Sequence, residues 1–194
     1  MKMAKKFLAV ALAGVLALSV LTGCANGVKS KDVADSLTKM GIKVEQSKDV
    51  DKTAKSTLTA IEAIVDASAK DSSVTAENKI TLENAVVKAD GKVIKENNFV
   101  GSVDNVKKAL GIDTNMANVG KQVRVALVEI KNAKKDASLQ AAFVKDVLFQ
   151  AQAAELGSNN DKVVAETGKL GTATTKDGKY MLVVIVNDVV AKNA

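Results

Sequence analysis

Apolar residues recur along this chain with two periods, one near 3.6 and one near 2, and the switches between them mark out the elements. Val33, Leu37 and Met40 fall at i, i+4 and i+7, with Ser30 placed to cap and Gly41 to stop, predicting a helix over 31–40. Ile42-Lys43-Val44-Glu45 alternates as a short strand does. Gln46 to Lys52 is charged and polar and reads as a loop. Leu58, Ile61 and Val65, widened by Ile64, line one face of a helix over 53–69 that Asp71-Ser72-Ser73 ends. Residues 80–88 and 91–95 read as a hairpin closed at Ala89-Asp90-Gly91-Lys92, because Asp-Gly tolerates the positive φ of a tight turn. Ser102 then opens a short helix carrying Val103, Val106 and Leu110, with Gly111 as its stop.

The second half gives the stronger signals. Gln122 to Lys131 is apolar on both alternating faces, the pattern of a strand buried in a sheet. Residues 137–156 are good helix formers with Leu139, Phe143, Val147 and Ala151 on a broad face, followed by Gly157 and a turn cluster at Ser158-Asn159-Asn160-Asp161. Leu170 to Thr175 and Tyr180 to Val186 form a second hairpin around Lys176-Asp177-Gly178-Lys179. Met181 to Val186 is too short for a membrane and rich in β-branched residues, which predicts a central strand. The order helix, strand, helix, hairpin, helix, strand, helix, hairpin predicts an α+β fold, a mostly antiparallel sheet with helices packed on it. The pattern of a helix followed by an Asp-Gly-Lys hairpin occurs twice, at 53–95 and 137–186, although the spacings differ and few identities align.

The N-terminus follows a different logic. Lys2, Lys5 and Lys6 precede an apolar run from Phe7 to Leu21, 15 residues long. A helix needs about 20 to span a bilayer, so this run has the length of a signal-peptide core. It ends at Leu21-Thr22-Gly23-Cys24, which holds the one cysteine of the chain. This segment resembles the lipobox of bacterial lipoproteins. The resemblance implies that Leu21, Thr22 and Gly23 are read by the signal peptidase and that Cys24 carries a thioether-linked diacylglycerol. A thiolate is the nucleophile such a transfer needs. Two acyl chains supply the two signals that stable anchoring requires, at about 0.8 kcal/mol per buried methylene. The expected organisation is a signal peptide over 1–23, a tether over 24–29 and one extracytoplasmic domain over 30–194. Ala25 stands where an aspartate would resemble an inner-membrane retention signal, so a Gram-positive-type surface is preferred.

Composition then narrows the chemistry. The 194 residues include no histidine, proline or tryptophan, and aromatic residues make up only 3%. Without histidine there is no Ser-His or Cys-His catalysis and no imidazole ligand, and one cysteine builds neither a disulfide nor a thiolate zinc cage. Removing residues 1–23, which hold three lysines and no acid, lowers the formal charge from +6 to +3 over the remaining 171 residues. Arg124 is the single arginine, and no aromatic-studded basic stripe is present, so no nucleic-acid partner is expected.

The remaining candidates are weak. Ser30-Lys31 and Ser47-Lys48 are adjacent pairs in predicted caps and loops, and Glu129, Asp161, Glu166 and Asp188 are carboxylates with nothing to fix their separation. Asp113-Thr114-Asn115 and Asn159-Asn160-Asp161 lack the full spacing of a calcium loop, and Gly168-Lys169-Leu170-Gly171 lacks the third glycine of a dinucleotide fingerprint. Gly171-Thr172-Ala173-Thr174 looks superficially like the flavin-acceptor motif of surface flavoproteins, but its order is wrong and it falls in a predicted strand. The closing hairpin is similar to the last hairpin of secreted CAP-type domains, over some 20 residues, and would belong to a degenerate, metal-free version. The expectation is a lipid-anchored surface protein with a non-catalytic binding or structural domain, without cofactor or metal. Its partners would be the membrane, through the lipid, and an envelope component or protein. The alternatives are an extracytoplasmic hydrolase-like enzyme with a carboxylate or lysine site, and a small solute-binding transporter component.

Overall fold

The computed structural model describes residues 27–85, 120–150 and 162–191. The signal segment, residues 86–95 of the first hairpin, the helix at 102–110 and the turn at 158–161 lie outside them.

Helix α1 spans Ser30–Lys39 and strand β1 Val44–Gln46. Lys29, not Ser30, holds the N-cap position, and its backbone N–H donates to the Asp32 carboxylate at 3.3 Å. Gly41, at φ +86°, ends the helix: its N–H donates to the Thr38 carbonyl and the Ile42 N–H to the Leu37 carbonyl, both at 3.0 Å. That pair of bonds is a Schellman motif.

Helix α2 spans Lys48–Lys70, so most of the loop expected at 46–52 is helix. Ser47 caps it by accepting from the Val50 N–H, and Asp49 and Asp51 sit in the first turn, where the helix dipole favours negative charge. The apolar stripe begins at Val50 and runs through Ala54, Leu58 and Ile61. The same charges that suggested a loop are start signals.

After a 3-10 turn at Ala76–Asn78, a short helix α3 covers Leu82–Ala85, where the first strand of a hairpin was expected. The Ile80 N–H bonds the Ser68 hydroxyl at 2.8 Å and Lys79 reaches the Ala69 carbonyl at 2.6 Å, so this segment folds back on the end of α2 instead of extending. The first of the two helix-hairpin units therefore departs from the second at this point.

Strand β2 spans Lys121–Glu129. Helix α4 spans Ala137–Lys145, capped by Asp136 accepting from the Leu139 N–H at 2.9 Å, and widens into a π-turn over Asp146–Gln150 within the helix expected to reach 156. Strands β3, Lys162–Thr174, and β4, Tyr180–Ala191, are longer than the pattern suggested. Gly178, at φ +68°, makes the turn between them.

The sheet order is β1-β3-β4-β2, with β1 parallel to β3 and the other pairs antiparallel. The fold is α+β with a mostly antiparallel sheet, and Met181 to Val186 lies inside it on β4, as its composition predicted.

Alternation along β4 divides the core. Met181, Val183 and Ile185 pack with Leu37 of α1, Val144 and Leu148 of the α4 segment, and Leu170 of β3. Leu182, Val184 and Val186 face the other way, against Val50, Leu58 and Ile61 of α2. Gly171 lets the first turn of α2 rest on the backbone of β3, because a Cβ there would overlap the Val50 main chain. The Asp51 carboxylate accepts the Thr172 N–H at 3.0 Å across that junction.

Candidate functional site

Cys24, Leu21, Thr22 and Gly23 precede the described residues, but the place where the chain enters the fold is visible. The Ser30 and Thr172 hydroxyls share a 2.7 Å hydrogen bond, fastening the start of α1 to the end of β3 nearest the β3–β4 turn. Lys134 approaches the same turn, donating to the Asp177 carbonyl at 2.6 Å. A shallow groove of about 300 Å³, lined by Gly27, Val28, Asp32, Lys135 and Ala137, opens beside this entry point.

Of the carboxylates considered from sequence, Glu129 and Asp188 do not converge. Glu129 pairs with Lys131 at 2.7 Å, Glu166 with Lys43 at 2.5 Å and Asp188 with Lys121 at 2.5 Å, all on the surface. Glu129 and Asp188 sit opposite Tyr180 and Lys121, at the two ends of β2. Eight strand steps place those ends about 27 Å apart, far beyond the few ångströms between paired glycosidase carboxylates. Asp161 lies outside the described residues.

The serines make no base pairing with lysine. Ser30 bonds Thr172 while Lys31 turns to Asp35 at 2.7 Å, and Ser47 accepts from the Val50 N–H. Gly168 to Thr174 lies wholly within β3, so it forms neither a phosphate loop nor an exposed flavin-acceptor loop. No group of three metal-ligating side chains occurs among the described residues.

Titration shifts have local causes. Burial raises the carboxyl of Glu62 on α2, an effect that nearby Lys176 opposes and Asp66 and Asp177 reinforce. Burial likewise raises Asp177, but bonds from the Lys179 N–H and the Thr175 hydroxyl outweigh it and leave the group lowered. The Lys121 hydrogen bond and charge lower Asp188.

What the sequence did not single out is a polar row on the face that α1 and α4 cover. Asn187 on β4 stands opposite Gln122 of β2 and Gly168 of β3. Arg124 lies one step farther along the same face of β2, opposite Ile185. Below this row the face is aliphatic, with Ala126, Val128, Val183 and Met181. The opposite face remains aliphatic at the same level through Val123 and Val186.

Asn187 is 6% exposed. Its amide nitrogen donates to the Ala165 carbonyl at 3.0 Å, inside the irregularity where β3 shifts register between Val164 and Gly168. That bond fixes the amide orientation and leaves Oδ1 as an acceptor. Both Asn187 Oδ1 and Gln122 Oε1 are buried and accept no hydrogen bond. Burial lowers the pKa of the Arg124 guanidinium, the mark of a partly desolvated cation. The sequence signal was the pair of polar residues at alternate positions opening a strand that otherwise reads as apolar. No family model matches the chain, and neither the curated proteins nor the solved structures contain a match.

Proposed function

We propose that this chain is a lipid-anchored extracytoplasmic protein whose α+β domain acts by non-catalytic binding. The observation that carries the anchor is Leu21-Thr22-Gly23-Cys24 at the end of a lysine-led apolar segment. From Cys24 to Ser30 the chain reaches at most about 20 Å, six residues at full extension. With Ser30 fastened to Thr172, the lipid holds the β3–β4 turn end of the sheet toward the membrane and leaves the Gln122–Asn187 row toward the far end. Support for binding rather than catalysis is that Glu129, Glu166 and Asp188 are each engaged by a surface lysine, so none is poised as a general acid or base.

Metabolic labelling with an alkyne fatty acid tests the anchor. The wild-type chain takes up label and stays with membranes, and Cys24→Ser loses both. Undiminished labelling and membrane retention in Cys24→Ser would overturn the reading.

A further inference from the structure

We infer that Lys131, Lys134 and Lys135 of the β2–α4 loop, with Lys176 and Lys179 of the β3–β4 turn, form a cationic surface that docks on the anionic phospholipid headgroups of the membrane holding the chain. The inference rests on the lipid anchor proposed above and goes beyond it by naming the face that meets the bilayer.

Two hydrogen bonds join the loop and the turn into one surface. The Ile130 N–H donates to the Lys179 carbonyl and the Lys134 ammonium to the Asp177 carbonyl, both at 2.6 Å. All five lysines are exposed. Residues 129–136 and 174–180 set them against three acids, Glu129, Asp136 and Asp177. Those acids are engaged locally. Asp136 caps α4 through the Leu139 N–H, and Glu129 pairs with Lys131. Asp177 accepts from the Lys179 N–H and the Thr175 hydroxyl, and lies 3.5 Å from the Lys179 ammonium. Lys134 bonds a neutral carbonyl and so keeps its full charge. Lys135 and Lys176 make no salt bridge among the described residues, although the partly buried Glu62 faces Lys176 at longer range.

The entry of the chain brings this surface to the bilayer. Gly27 and Val28 line the shallow groove together with Lys135, and Gly27 is three residues from Cys24, at most about 10 Å at full extension. That reach is close to the screening length of about 8 Å at physiological ionic strength, so the potential of an anionic leaflet acts on the lysines around the groove. A lysine ammonium is a compact point charge on a flexible stem and serves a headgroup phosphate without fixed geometry. Five of them spread over two adjoining loops suit a fluid lipid surface better than one shaped ligand. The far end of the sheet lies beyond this range. Lys121 stands opposite Asp188, eight strand steps or about 27 Å from Tyr180, and Lys162 stands opposite Ala191, about 36 Å away.

The test is lysine footprinting of the full chain, purified from membranes and placed in bilayer discs of phosphatidylcholine alone or of an equal mixture with phosphatidylglycerol. Acetylation by an amine-reactive ester is followed lysine by lysine by mass spectrometry. On the anionic discs Lys131, Lys134, Lys135, Lys176 and Lys179 are expected to react about threefold more slowly or less, with the difference removed by high salt. Lys121 and Lys162 react equally on both. Lys135→Gln combined with Lys176→Gln, two exposed positions outside the bonds that join the loops, at least halves the protection of the remaining three lysines. Equal rates on the two kinds of disc would overturn the surface, as would protection of Lys121 and Lys162 to the same degree or undiminished protection in the double variant. Equal protection by soluble glycerol phosphate on neutral discs would assign the lysines to a free phosphate and overturn it too. The intact mass of the same sample separates the two readings. A lipid-bearing chain with unprotected lysines fails the surface alone, whereas a free Cys24 thiol fails the anchor and the surface defined by its distance from that lipid.

Discussion

Asn187 and Gly168 face each other across β3 and β4 so closely that a Cβ at Gly168 would stand 2.9 Å from the Asn187 amide. The glycine is there for its lack of a side chain and not for an unusual backbone angle, because its φ is not positive. The amide it admits closes the irregular stretch of β3 through the Ala165 carbonyl. Gly168→Ala is therefore expected to displace Asn187 and break that bond, costing about 1–3 kcal/mol. Chemical denaturation measures the loss, and loss of the Asn187 side-chain amide's protection from hydrogen exchange reports its cause. An unchanged denaturation midpoint would show that the amide can move aside without penalty.

Gly171 makes the harsher prediction. Its added Cβ would meet main-chain atoms of Val50 and Asp51, which cannot rotate away as a side chain can. Gly171→Ala must shift the first turn of α2, at a cost in the upper part of the about 1–3 kcal/mol seen for overpacking. The thermal midpoint should fall further than for Gly168→Ala.

The two core layers predict similar losses on opposite faces of one strand. Leu182 and Ile185 are both fully buried, the first against α2 and the second against α1 and α4. Leu182→Ala and Ile185→Ala should each cost about 2–5 kcal/mol in equilibrium unfolding. A much smaller loss at one of them would mean that the helix on that face is not packed as described.

Glu62 gives a pH dependence of defined sign. Its carboxyl is raised in the folded state, chiefly by burial, so the folded chain holds a proton more tightly than the unfolded one. Stability from this group is greatest in acid and falls as pH rises from the ordinary carboxyl range through the raised value. Glu62→Gln removes the fall, so its stability relative to wild type should improve from acid toward neutral pH. Denaturation midpoints across that range check the sign, and a constant difference between the two proteins would contradict it.

How much the sequence disclosed depended on whether a signal was local. Gly41, Gly178 and the continuous β-branched run of Met181 to Val186 marked their elements correctly because turn geometry and burial on both faces act over a few residues. The start of α2 was misread because Asp49, Asp51 and Lys52 resemble a loop until Ser47 is recognised as the cap. The helix at Leu82–Ala85 was missed because its placement depends on Ser68 and Ala69, more than ten residues earlier. The parallel pairing of Val44–Gln46 with Gly168–Leu170 was equally out of reach, being set by partners over a hundred residues apart. The polar row shares that origin: Gln122, Asn187 and Gly168 are unremarkable until the strand register aligns them.

The anchored surface protein proposed here is tested most directly by the intact mass and N-terminal sequence of the mature chain. The account predicts a chain that begins at Cys24, lacks residues 1–23 and carries the added mass of a thioether-linked diacylglycerol. A chain that retains residues 1–23, or one whose Cys24 thiol is free, would contradict it.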